Sequence, residues 1–286
     1  MIARVLMSWF PTLVLVLIAV SNVSLAAENS AKSKIIRYAR FQAGDEIAYG
    51  IVEGDSVRQI DGDLFGKFEP TDKTHKLADV KLLVPAEPSK VLAAARNYRS
   101  HGASGESLKC PQMFFKPPSC LIADGEKIVI PKSATNIHYE AELVIVIGKR
   151  AKKVSKEKAL DYVLGVTCGN DVSNRDWQGK DIQWWRAKGF DTFGPCGPYI
   201  VRGLDYDNLL VQLRLNGEVK QKEGTDHMVF SVPEIVSFVS RHCTLEPGDL
   251  IYTGTSGQTG NIKPGDVAEV EIEGVGILTN KAVAEK

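Results

Sequence analysis

Thiol pairs at metal-binding spacing are missing from this chain. It has only five cysteines, Cys110, Cys120, Cys168, Cys196 and Cys243, and no Cys-x-x-Cys. Zinc ribbons and thioredoxin-like redox motifs need that spacing and are excluded. An odd count also leaves at least one thiol unpaired within the chain. Mostly buried free thiols are the expected state, with a Cys110–Cys120 bridge as the alternative. Net charge is missing too, since 35 basic residues face 35 acidic ones. Bulk attraction to nucleic acid or to an anionic membrane is therefore not expected. Long repeats and low-complexity tracts are absent, and histidine is scarce at five residues.

Apolar runs of membrane-spanning length are lacking beyond the first 27 residues. The segment 1–26 starts with a single basic residue, Arg4, runs through apolar Thr12 to Val20, and ends at Ser24-Leu-Ala26. A charged start, an apolar core and a small-x-small end is the order of a secretory signal peptide. Cleavage after Ala26 would leave 34 basic against 35 acidic residues. The folded part would then be exported, to a periplasm or outside the cell. The alternative is an uncleaved anchor, since the uncharged run reaches the roughly 20 residues that cross a bilayer. Membrane association is expected only in that case.

What is present reads mainly as strand. Ile35 to Phe41, Ile47 to Glu53 and Val57 to Ile60 are short β-rich runs separated by Gly-Asp turns. They predict a small N-terminal β module within 27–90. Phe65 to Leu83 is polar and lysine-rich and reads as a linking segment with some helix. A larger domain is expected over 91–286. Ser155 to Val163 reads as a short helix with Ser155 as N-cap. Ser231-Val-Pro-Glu234 has the form of a capping box opening a second helix. Val267 to Ile272 and Val275 to Thr279 predict a hairpin around Glu273-Gly274.

The strongest chemical signal lies between His138 and Gly148. Glu140 and Glu142 stand two apart in a run of Leu, Val and Ile. Strand side chains alternate, so both carboxylates share one face. Two acids that close repel, and burial raises the cost. Asp171 follows the apolar run Val163 to Val166 and is available as a third oxygen ligand. Hard cations such as Mg²⁺ or Mn²⁺ take such sets. A solvated strand face with exposed glutamates is the other reading.

Weaker signals surround it. His101 follows the strand-like Val91 to Ala95, where a histidine can act as a general base near neutral pH. Lys116 follows two phenylalanines, and Lys188 follows two tryptophans. Each is either an anion anchor or a snorkelling surface lysine. Thr253-Gly-Thr255 forms a tight turn that suits a carboxylate or an ordinary hairpin.

These pieces occur in a telling order. They are Asn97-Tyr-Arg-Ser-His101, Phe115-Lys-Pro117, His138-Tyr-Glu-Ala-Glu142, Asn170-Asp-Val-Ser173 with Arg175-Asp-Trp177, Lys188-Gly-Phe-Asp191, Asn216-Gly217, and Leu245 to Asp249 with Thr253-Gly-Thr255. In that order the chain resembles the fumarylacetoacetate hydrolase family over about 91–280. The resemblance implies a β-rich mixed α/β fold around a rolled sheet, in a homodimer. It implies Mg²⁺ or Mn²⁺, in some members Ca²⁺, held by Glu140, Glu142 and Asp171. His101 and Lys188 match catalytic positions, and Arg96, Tyr98, Lys116 and Thr255 match substrate-binding ones. The implied substrates are small 2-oxo or 1,3-dicarbonyl acids. The expected reaction is hydrolysis of a C–C bond in an acid such as an acylpyruvate. Decarboxylation or dehydration of a 2-oxo acid is the alternative, as is an exported carboxylate-binding protein without turnover. Three features depart from the family pattern. The acid of its His-x-x-Glu motif is replaced by Ser104, with Glu106 two residues further on, its Thr-Gly-Thr-Pro turn ends in Ser256, and its members are mostly intracellular.

Export makes a direct prediction. Mature protein from the native host should begin at Ala27 on N-terminal sequencing. An intracellular product beginning at Met1 would contradict both cleavage and export.

Overall fold

The computed structural model describes residues 34–102 and 108–286. The expected signal peptide, Ser104 and Glu106 lie outside the described residues. Strands dominate and helices are few, as a β-rich mixed α/β fold requires. A twelve-stranded sheet contains a path of ten strands. It runs Phe68–Lys76, Ser56–Gly62, Glu46–Glu53, Ile36–Ala43, Gly194–Arg202, Val163–Asn170, Ala141–Ile147, Leu250–Tyr252, Val91–Ala95 and Gln112–Lys116. A five-stranded sheet runs Glu218–Gly224, Leu210–Leu215, Val267–Ile272, Gly276–Ala284 and Lys127–Ile130.

The N-terminal strands form the expected meander, and pairing of Ile36 with Arg202 carries it into the large sheet. The polar segment expected to link with some helix is instead mainly the edge strand Phe68–Lys76. An edge strand with solvent on most sides needs no apolar alternation, and an edge tolerates Pro70. The only helical turn there is the 3₁₀ stretch Leu77–Asp79. The expected helix after Ser155 is the 3₁₀ helix Lys156–Tyr162. Seven residues repay α-helix nucleation poorly, and the tighter i→i+3 bonds fit a short connection between strands.

Helix Val232–His242 does open on a capping box, with Ser231 N–H donating to Glu234 Oε2 at 2.9 Å. The hairpin around Glu273-Gly274 also forms.

The strand Ala141–Ile147 lies inside the large sheet, and both of its faces are covered. Leu143, Ile145 and Ile147 join one apolar cluster with the buried side of helix Val232–His242. Val144 and Val146 join another, with Val91, Ala93 and Tyr252. Glu140 and Glu142 begin this second face, so the fold turns their carboxylates inward instead of leaving them on a solvated strand face. Gly169, opposite Glu142, must be glycine-sized. A Cβ there would meet Val144 Cγ2 at 2.4 Å and Tyr252 Cε1 at 2.6 Å.

Candidate metal centre

Register brings the three acids together. Ala141 pairs with Asn170 and Glu142 with Gly169. One step outward, Asp171 N–H donates to Glu140 O at 2.9 Å. The Asn170 side chain accepts the Glu140 N–H, also at 2.9 Å. Residues opposed across antiparallel strands share a face, which sets Asp171 beside Glu140. One carboxylate oxygen from each of Glu140, Glu142 and Asp171 lies within 4.8 Å of the others. All three residues are buried, at 3%, 1% and 1% exposure, which rules out a solvated strand face.

Three cations answer them unevenly. Lys188 Nζ donates to Glu140 Oε2 at 2.5 Å and to Asp171 Oδ2 at 2.7 Å. Arg175 donates to Glu140 Oε1 at 2.5 Å. Lys116 Nζ donates to Asp171 Oδ1 at 2.6 Å, to Phe193 O at 3.1 Å and to Lys188 O. Burial alone would push the Glu140 carboxyl up, but Lys188 and Arg175 outweigh it and bring it down to about 2. For Lys188, burial works against the charge, yet Asp171 and Glu140 hold it above the ordinary lysine value. Glu142 accepts only the Gly254 N–H, at 2.7 Å, and has no ion pair among the described residues. Burial first, then Asp171 and Glu140, push its carboxyl well above the usual range. A buried oxygen-only set containing one acid without a partner cation fits a hard divalent ion.

The turn after Leu250–Tyr252 closes the site through its main chain. Gly254 takes φ +96°, and a Cβ there would meet Asn97 Cβ at 2.8 Å. That close approach delivers its N–H to Glu142. Thr255 Oγ1 donates to Ala141 O at 2.9 Å and accepts from Gln221 Nε2 at 2.8 Å. Gln221 Oε1 accepts the Ala141 N–H at 3.0 Å, so one amide ties strand to turn.

His101 stands at the rim. Its Nδ1 is 2.7 Å from Gly257 O. A carbonyl can only accept, so Nδ1 carries the hydrogen and Nε2 carries the lone pair in the neutral ring. Nε2 is 4.0 Å from Glu140 Oε1.

A cavity of about 380 Å³ opens over these groups. Arg96, His101, Glu140, Glu142, Lys188 and Thr255 line it, with Arg175, Gln178 and Trp184. Two residues expected to bind substrate are placed differently. Lys116 lies beneath the carboxylates with its ammonium already shared among Asp171 and two carbonyls. Tyr98 is buried behind the wall, where burial pushes its phenol up. Arg175 stands in the Arg175-Asp-Trp177 motif, which assigns it no role, and Gln178 and Gln221 carry no site signal in the sequence. Gln221 sits in Glu218-Val-Lys-Gln-Lys-Glu-Gly224, which reads as a solvent-facing strand and gives no warning.

Residues 90–283 match the profile described as fumarylacetoacetate (FAA) hydrolase C-terminal. The chain belongs to the fumarylacetoacetate hydrolase family. Residues 36–85 match a profile described as Rv2993c-like, N-terminal. The crystal structure of a 2-hydroxyhepta-2,4-diene-1,7-dioate isomerase from Mycobacterium marinum is 40% identical, with a TM-score of 0.82 over 87% of this chain and 99% of its own. A mitochondrial oxaloacetate tautomerase of Bos taurus is 38% identical over 224 residues, 72% of this chain and 70% of its own. A maleylpyruvate hydrolase from Sphingobium was solved with manganese(II) and pyruvate. It is 28% identical, with a TM-score of 0.72 over 87% of this chain and all of its own. These fumarylacetoacetate hydrolase relatives are enzymes, and one of them holds a divalent metal.

Glu142→Gln separates metal binding from folding. The amide keeps an acceptor for Gly254 N–H but removes one of three crowded charges. Metal-free Glu142→Gln is expected to unfold at the wild-type temperature or above it. Its Mn²⁺ affinity, read by calorimetry, should fall by more than the 10- to 100-fold typical of a residue one shell out. Wild-type affinity would remove Glu142 from the ligand set.

Proposed function

We propose that the protein is a divalent-metal-dependent enzyme that moves a proton on a small 2-oxo acid, interconverting its enol and keto forms. The observation that carries this reading is His101 Nε2, with its lone pair free, near Glu140 on a cavity walled by carboxylates and Lys188. When bound at Glu140, Glu142 and Asp171, Mg²⁺ or Mn²⁺ supplies Lewis-acid stabilisation of negative charge on oxygen.

The remaining work belongs to the chain's own groups. His101 Nε2 takes the proton from the carbon beside the oxo group and returns it to the substrate. Its Nδ1–H stays on Gly257 O and keeps the ring in one tautomer. Lys188 spends two N–H bonds on Glu140 and Asp171 and has a third for a substrate oxygen. Arg96 on this wall receives the substrate carboxylate, and Thr255, whose hydroxyl hydrogen is committed to Ala141 O, shapes the wall beside it. Trp184, packed edge-on against Phe114 at 5.4 Å, supplies an apolar flank. The isomerase and tautomerase relatives support this chemistry.

Hydrolysis of a C–C bond in a 1,3-dicarbonyl acid such as an acylpyruvate is the second reading. It would use His101 toward water, and the maleylpyruvate hydrolase relative favours it. Against it stands the partner of His101 Nδ1, which is the peptide carbonyl of Gly257 and not a carboxylate. Two further parts of the proposal are an exported location, resting on segment 1–26, and assembly as a homodimer.

Oxaloacetate and an acylpyruvate, each with Mn²⁺, test the two readings. The protein is expected to speed the decay of enol absorbance without releasing pyruvate. His101→Ala should lower kcat by about 10²- to 10⁴-fold, as loss of a general base does, with Mn²⁺ affinity unchanged. Pyruvate and a carboxylic acid released together from an acylpyruvate would favour hydrolytic C–C cleavage, whereas pyruvate from oxaloacetate would report decarboxylation. A rate indifferent to His101→Ala would remove its assigned role.

A further inference from the structure

The acid that would orient His101 from the same loop is absent at position 104, yet a carboxylate reaches His101 by another path. His101 Nδ1–H donates to Gly257 O at 2.7 Å. Gly257 N–H donates to Ser100 Oγ at 2.9 Å. Ser100 O–H donates to Glu223 Oε2 at 2.5 Å. Glu223 lies in the strand Glu218–Gly224 of the five-stranded sheet, more than 100 residues from His101 in sequence. We infer that Glu223 is the positioning residue for His101, acting through Ser100 and both polar groups of Gly257, in place of the acid absent at position 104.

Three features support the assignment. Glu223 is well sheltered, with its side chain 18% exposed, and His227 Nδ1 at 3.0 Å holds its other oxygen. Its strand is already fixed to the site, because Gln221 two residues earlier bonds Ala141 N–H, Thr255 Oγ1 and Ser256 O. The chain of bonds also has one polarity. A carboxylate can only accept, so Ser100 must donate its proton to Glu223. Its Oγ is then left to accept from Gly257 N–H, which holds Gly257 O toward His101. Reversing the imidazole tautomer would place a bare nitrogen against that carbonyl. Glu223 therefore holds in place the carbonyl that fixes which ring nitrogen carries the lone pair, as partners behind a functional histidine generally do.

This inference rests on the proton-transfer role proposed for His101, and the experiment separates the two. In Mg²⁺-loaded protein, ¹⁵N NMR of the His101 ring is expected to show one tautomer, with hydrogen on Nδ1. Glu223→Ala and Ser100→Ala should each let the other tautomer appear. With Mn²⁺ and oxaloacetate, both should lower kcat by about 10- to 100-fold, the range for residues one shell out, with KM unchanged. Glu223→Gln keeps an acceptor for Ser100 and should restore most of the loss. The double variant His101→Ala, Glu223→Ala should be no slower than His101→Ala alone. Two results would overturn the inference while leaving the His101 role intact. One is a ring tautomer unmoved by both Ala variants, and the other is a Glu223→Ala loss of equal size with and without His101. Full activity in His101→Ala would instead overturn the proton-transfer role itself, and the inference with it.

Discussion

Burying Glu142 without a cation of its own is the constraint on which the rest of the site depends. Lys188 and Arg175 serve Glu140, and Lys188 and Lys116 serve Asp171. Glu142 has one backbone N–H. An uncompensated buried charge costs several kcal/mol, and two acidic neighbours add to that. The sheet imposes the arrangement. Val144 and Val146 extend the same face into an apolar cluster, so the two carboxylates at its end cannot turn to water without moving the strand. A divalent ion is the economical solution, because it relieves the repulsion and uses the charge.

Rigidity around the acids comes from short side chains bonded to main chain. The turn 253–257 is bonded to the carboxylate strand at Leu143 O by Thr253, at Glu142 by Gly254 and at Ala141 O by Thr255. Asn97 holds the same turn from the other side by donating to Thr253 O at 2.8 Å and to Phe230 O at 3.0 Å. The five-stranded sheet adds Gln221 and Glu223. A site whose supports are buried side chains tied to strand and turn backbone keeps its geometry within the narrow tolerance catalysis needs. The substrate side is looser, and there the lining is long side chains such as Arg96, Gln178 and Trp184.

Much of this was legible from residue order, and the parts that were not have physical reasons. The Glu140/Glu142 alternation, the hairpin at Glu273-Gly274 and the Ser231 capping box depend on local periodicity and turn chemistry, which sequence displays directly. Phe68–Lys76 reads as a linker in the sequence because an edge strand facing solvent has no apolar alternation to display. The 3₁₀ form of Lys156–Tyr162 depends on tertiary room between two strands, which propensity does not encode. The placement of Lys116 under Asp171 depends on a fold-wide packing of Gln112–Lys116 against the 188–193 turn. Gln221 and Glu223 were invisible for the same reason. Both sit in a charged strand whose functional face is defined only by the sheet it meets.

The direct measurement of the central claim is unfolding stability against free divalent metal. Protein stripped by chelator should gain stability with added Mn²⁺. The gain should reach about 2.7 kcal/mol at 100 times Kd and continue to rise with the logarithm of concentration. Unfolding that is indifferent to Mn²⁺ and Mg²⁺ across the millimolar range would contradict a metal centre at Glu140, Glu142 and Asp171.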